Sequence, residues 1–219
     1  MGNQPSPPPA PLADARAGLG AIDRQIGFER INSLYAITEP LLFGGFAFTV
    51  LTGMLLASTV PHLLLVTWLA IKIVLTAARL VDGRMFLRDR HRSLRQRHWR
   101  SRFVAGVILD SVSWGLLPVL CMPTADPAIN GVLLAAMVAV ASAGAIALSA
   151  DRLASGMSMV LVLGPLVEQQ ALMPTLLSRY TAAGLVIYAA LLFLEARNSH
   201  HRFTEAMRLR FEKDRKSVV

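Results

Sequence analysis

Residues 79–102 read RLVDGRMFLRDRHRSLRQRHWRSR, with nine arginines against two acids, Asp82 and Asp89. Apolar runs of membrane-crossing length lie on both sides, at about 60–80 and 103–122. Loops rich in Lys and Arg between spans stay on the cytoplasmic side. The stretch is therefore expected to be the inner loop of a hairpin of spans, and it orients the rest of the chain.

Outward from this loop the composition is that of an integral membrane protein. The 219 residues are 54% hydrophobic and 16% charged, with a mean hydropathy of +0.50. A soluble domain carries about 25% charged residues. The apolar residues gather in blocks of roughly 20, the length that crosses about 30 Å of hydrocarbon. Six spans are expected, at about 36–57, 60–80, 103–122, 129–150, 156–176 and 180–194. The last is short, and Arg179 and Glu195 can snorkel from its ends. With both termini and the 79–102 loop inside, the inner segments hold 20 of the 22 Lys and Arg residues. Arg179 alone lies on an outer turn, and Lys72 lies within a span. Five or seven spans would put the C-terminal segment outside and break that asymmetry. The expected fold is thus all-α, an integral membrane six-helix bundle with both termini cytoplasmic. The net charge of +8 is partitioned by topology and is no signal for nucleic acid.

The flanks read differently from the spans. Residues 1–20, with Pro7-Pro8-Pro9, cannot bury a core and are expected to be a disordered Pro-rich tail, not a signal peptide. Residues 21–35 mix Ile22, Ile26, Phe28, Ile31 and Leu34 with Asp23, Arg24, Glu29 and Arg30, as an interfacial amphipathic helix does. Residues 196–219 lack Gly and Pro. They place Phe203, Met207 and Phe211 four apart among charges, as an amphipathic cytoplasmic helix that could open a coiled coil. Those three are the expected signal-output residues. The outer connections, 123–128 and 173–179, are short, so an external ligand has to bind among the spans. Small-residue stripes, Gly131-Ala135-Ala139-Ala143-Ala147 and Gly45-Thr49-Gly53, predict close helix approach within the bundle or across a dimer.

Ionisable groups inside spans are the functional candidates, because each costs about 2.5–3.5 kcal/mol at mid-membrane on insertion scales. These are Glu39, Lys72, Asp110 and Glu168. Lys72 and Asp110 lie about eight residues from the inner ends of antiparallel spans, near 12 Å deep by helical rise, so an ion pair is expected. The alternative is separate capping or snorkelling. Asp110, Ser113 and Trp114 share a helix face and could line a polar pocket. Glu168 and Gln169 follow Gly164-Pro165, and a proline in a span frees a carbonyl and often kinks the helix. Interior hydrogen bonding is the plainer reading of that cluster. Lys72, Asp110, Ser113, Trp114, Glu168 and Gln169 are the ligand-binding candidates. Glu39-Pro40 reads as the opening of span one.

Other chemistry is not indicated. Cys121 is the single cysteine, which rules out an intramolecular disulfide. The histidines show no metal-ligand spacing, and no P-loop, GxGxxG or nucleophile elbow occurs. No catalytic residue, metal or cofactor is expected. The 79–102 loop itself is read as a topogenic anchor touching anionic lipid, or as a docking surface for a cytoplasmic partner. It is not read as a nucleic-acid site, because it has few aromatic stacking partners.

Trp99-Arg100, Arg102-Phe103, Gly106 and Trp114-Gly115, followed by an Ala/Gly-rich span, resemble the six-span input modules of bacterial sensor histidine kinases and diguanylate cyclases. Leu209-Arg210-Phe211-Glu212 resembles the start of their signalling helix. The resemblance implies a homodimeric sensor of the bacterial inner membrane, and the apolar bundle with its few polar groups suggests a small hydrophobic or amphipathic ligand. The sensor's output would be a kinase or cyclase domain in cis or in trans, and neither catalytic domain's motifs occur before Val219. A small transporter or channel, or a passive anchor, is the competing reading.

Overall fold

The structure is a computed structural model. It describes residue 25 and residues 27–121 and 127–217, with side chains to 121, from 129 to 199, and at Arg202 and Glu205. The expected tail at 1–20, most of the outer connection at 123–128, and the side chains of Phe203, Met207 and Phe211 lie outside the described residues. The described residues form helices and no strand. Six long helices follow one another: α1 (Thr38–Leu56), α2 (His62–Arg88), α3 (Gln96–Cys121), α4 (Pro127–Ala147), α5 (Arg152–Leu172) and α6 (Leu176–Ser217). A helical stretch at 27–36 runs into α1 through a turn at Ile37.

Five of these are long and apolar enough to cross a membrane, the first counted with its lead-in as Gly27–Leu56. The helix outside that group is α5, and its position explains why. It packs most extensively on α3, and also on α6 and α4. Val162, Leu163 and Leu166 on it are almost wholly buried. A helix surrounded by other helices need not be apolar all round. It can carry polar groups that bond to neighbours, and the Ser111 hydroxyl of α3 meets the Ser158 hydroxyl of α5 at 3.0 Å.

The tight contact of α3 and α5 at Gly115 has a covalent origin. Pro165 lacks an N–H, so the carbonyl of Leu161, four residues earlier, has no helical donor. That carbonyl faces Gly115, where a Cβ would overlap its oxygen and lie 3.3 Å from the Pro165 ring. The glycine Cα–H occupies this space instead, the geometry of a Cα–H···O contact.

The basic stretch is mostly helix. α2 continues to Arg88 and α3 begins at Gln96, so the connection is shorter than the 79–102 loop expected from hydropathy. Both acids in it are anchors. Asp82 accepts the Tyr35 hydroxyl at 2.7 Å and pairs with Arg102 at 2.7 Å. Asp89 accepts the His91 backbone N–H at 2.8 Å and the Trp99 indole N–H at 2.9 Å. These bonds, that of His91 first, hold the Asp89 carboxyl below the usual carboxylate range. Around them Tyr35 stacks on Phe86 with ring centres 4.1 Å apart, and Trp99 and Phe103 pack edge-on to Tyr35. An apolar cluster with Ile31, Leu34 and Leu148 thus closes this end of the bundle.

Asp151 fixes the same end of α5. It accepts the N–H groups of Leu153 and Ala154 at 2.9 and 3.2 Å, and pairs with Arg100 at 2.5 Å. Burial opposes its charge, but the Arg100 and backbone hydrogen bonds outweigh burial and hold its carboxyl below the usual range. A depressed carboxyl stabilises the fold fully above the unfolded value, about pH 4, and loses that contribution as pH falls through the folded value. Asp151→Asn keeps an oxygen that can cap Leu153 and Ala154 but loses the ion pair with half-exposed Arg100, at an expected cost of about 1 kcal/mol. It should also flatten the fall of the thermal midpoint in detergent below about pH 4. An acid limb unchanged in the variant would assign that limb to other carboxylates.

Candidate functional site

A cavity of about 380 Å³ lies between α1, α2, α3, α4 and α5, toward the end of the bundle that carries residues 79–102. On α2 and α3 the lining residues share one helical face. α2 contributes Lys72, Thr76 and Arg79, and α3 contributes Val107, Asp110, Ser111 and Trp114. Ser158 and Val162 of α5 close the base, while small residues form the opposite rim: Gly44 and Gly45 on α1, and Ala139, Ala143 and Gly144 on α4.

The polar centre is a three-charge cluster. The Lys72 ammonium lies 2.5 Å from one oxygen of Asp110, and the Arg79 guanidinium lies 3.6 Å from the other. The lysine side chain is 3% exposed, that of arginine 12% and that of aspartate 26%. Lys72 also sits 4.5 Å from the Trp114 ring centre, in cation–π range. Trp114 packs edge-on against Trp68, whose indole N–H donates to the Ser113 carbonyl at 2.8 Å. The ammonium is therefore held by a carboxylate and a fixed aromatic face. Arg79 is placed differently. Its contact with Asp110 is longer than a hydrogen bond, and it makes no hydrogen bond among the described residues.

Three of the sequence candidates meet here: Lys72, Asp110 and Trp114. Ser113 does not, because its hydroxyl donates to the Asp110 carbonyl at 2.6 Å along its own helix. Glu168 is exposed and Gln169 half-buried, and neither lines the cavity. The inward stripe of α5 runs through Ser158, Val162, Leu166 and Gln170 instead, so Gln170 rather than Glu168 points into the bundle. Glu39 is exposed beside Pro40 of the rim. Arg79 is hidden in the sequence among the arginines of the loop. Its seven-residue spacing from Lys72 is the available signal, since i and i+7 share a helix face.

The small-residue stripes also divide. Gly53 abuts Leu69, where a Cβ would come within 3.1 Å, as close packing requires. At Gly45 a Cβ would meet nothing within 4 Å, and α1 touches α4 only lightly. Gly45, Ala139 and Ala143 shape space rather than a contact. A second hollow, of about 410 Å³, is lined by Arg97, Arg100, Asp151 and Arg152 at the basic end. Comparison of the chain with protein-family models, curated proteins and solved structures finds no match.

Proposed function

We propose that this chain is a sensory module of the bacterial inner membrane. It crosses six times with both termini in the cytoplasm, takes a small ligand into the intramembrane cavity, and passes the bound state through α6 to a cytoplasmic output partner. The observation that carries this reading is the cavity with three charges at its centre. Such groups are costly in a membrane interior and mark functional sites. With 21 residues, α5 is about 31 Å long, enough for the sixth crossing. The 42 residues of α6 make about 63 Å, roughly twice the hydrocarbon thickness, so the helix extends well past the bilayer on the side of residues 79–102.

A route from cavity to α6 is present in the packing. α4 carries Ala139 and Ala143 on the cavity wall and Ser142 between them, hydrogen-bonded to the Tyr188 hydroxyl of α6. α5 lines the cavity with Ser158 and Val162 and packs along α6. A change in the filling of the cavity that shifts α4 or α5 displaces α6.

The test joins a heterologous cyclase domain after Ser217. Gly45→Leu, which fills the cavity where nothing opposes a side chain, should change cyclase output several-fold. Tyr188→Phe in the same fusion should cut that change at least by half. Output that is identical with an open and a filled cavity would leave a passive anchor. Orientation is checked separately: alkaline phosphatase joined after Thr175 should be active, and after Arg92 inactive. The reverse pattern would overturn the topology.

A further inference from the structure

We infer that the cavity's ligand is an amphiphile with a single negative charge, its head on Arg79 and its apolar tail in the slot between α1 and α4. This deepens the sensory reading and rests on it. The first observation is charge. Lys72 and Arg79 face one carboxylate, Asp110. The layer beneath adds Asp82 with Arg102, a matched pair, so the cluster keeps one uncompensated positive charge. At membrane depth such a charge draws an anion.

The second observation is which cation is available. Lys72 is 3% exposed, hydrogen-bonded to Asp110 and set against the Trp114 ring. Arg79 lines the cavity, lies 5.9 Å from the Phe103 ring centre, makes no hydrogen bond among the described residues, and approaches Asp110 only to 3.6 Å. A planar guanidinium with unused N–H donors suits the two oxygens of a carboxylate or phosphate. The third is the shape beyond it. From Arg79 the cavity continues past Val107 and Leu148 to the glycines of α1 and the alanines of α4, where a Cβ at Gly44 or Gly45 meets nothing. This part offers apolar contact and room for a chain, and its 380 Å³ lies in the range of small-molecule pockets, about 300–1,000 Å³.

The shared chemistry, one anionic head on an apolar tail, has two sources: a free single-chain acid, or the headgroup end of a bilayer lipid. The experiment uses the full chain in nanodiscs of zwitterionic phosphatidylcholine. Its three probes share a chain and differ in charge: 11-bromoundecanoate, 11-bromoundecanol and 11-bromoundecyltrimethylammonium. Bromine quenches tryptophan, and Trp114 lines the cavity while Trp68, Trp99 and Trp114 are all shielded from lipid. The acid should quench saturably, with the alcohol and the ammonium at least about tenfold weaker. Gly45→Leu should abolish saturable quenching by the acid. Arg79→Gln should remove the preference for the acid, and Arg79→Lys should restore most of it.

Loss of acid quenching when phosphatidylglycerol is added to the nanodisc identifies the membrane's own anionic lipid as the occupant. Unchanged quenching identifies a separately supplied acid. Both outcomes keep the inferred chemistry. Equal saturable quenching by all three probes would overturn the anion preference and leave the cavity as a ligand site. No saturable quenching by any probe would overturn the ligand site itself.

Discussion

Among the described glycines, Gly115→Ala should be the most damaging single-methyl change. Adding a methylene to a packed interior costs typically about 1–3 kcal/mol when side chains can shift. Here the obstacle is the Leu161 carbonyl, which is backbone, with the Pro165 ring beside it. Backbone cannot rotate away, so α3 and α5 must separate along the most extensive helix contact in the bundle. The expected loss is at or above about 3 kcal/mol, read as a large drop in the thermal unfolding midpoint in detergent. Gly131→Ala and Gly164→Ala are the controls, because a Cβ at either meets nothing within 4 Å. Both should stay near the parent midpoint.

The cause can be separated from mere proximity. Pro165→Ala gives the Leu161 carbonyl its helical N–H partner and lets it turn back into α5. On the Gly115→Ala background, Pro165→Ala should then recover part of the lost stability, a non-additive pair. Strictly additive losses would show that the freed carbonyl is not what Gly115 accommodates.

How far the sequence reveals this architecture depends on which physical signal each residue carries. Hydropathy and charge report depth, so the apolar blocks yield the six helices. The same signals place Lys72 and Asp110 at one level across a short connection, and the structure puts them 2.5 Å apart. Hydropathy says nothing about rotation of a helix about its axis. Glu168 and Gln169 therefore read as pocket residues, although the buried stripe of α5 passes through Gln170. Arg79 escapes notice for a related reason. Arginine near an inner boundary usually sets topology, and only the continuation of α2 to Arg88 shows that Arg79 lies inside a helix facing a cavity. The small-residue stripes mark the right faces but not their use, because space for a neighbour and space for a ligand need the same residues. Trp99, Arg100, Arg102, Phe103 and Gly115 are five of the residues read in the sequence as a resemblance to sensor input modules. In the fold each serves a local contact, with Asp89, Asp151, Asp82, Tyr35 and the Leu161 carbonyl respectively.

Asp110→Asn should be far worse than Lys72→Met, although the two residues form one ion pair. Removing one partner of a buried pair costs about 3–5 kcal/mol, because the other charge is left unmatched. Asparagine at 110 leaves two cations, Lys72 and Arg79, with no anion between them, so the full penalty is expected. Methionine at 72 leaves Asp110 with Arg79, 3.6 Å away, and keeps an apolar chain against Trp114. Its cost should be about 1.5 kcal/mol, the low end for a hydrogen bond to a charged group. Adding Lys72→Met to Asp110→Asn removes one of the stranded cations, so the double variant should be more stable than Asp110→Asn alone. Detergent unfolding midpoints of the three variants decide this. Equal losses for the singles would show that Arg79 does not share Asp110, and a double variant at their sum would show that Lys72 and Asp110 are not coupled. Exchanging the charges, Lys72→Asp with Asp110→Lys, should rescue only in part. The new lysine would face Arg79, and the new carboxylate would lie against the negative face of Trp114, which attracts a cation at 4.5 Å and repels an anion.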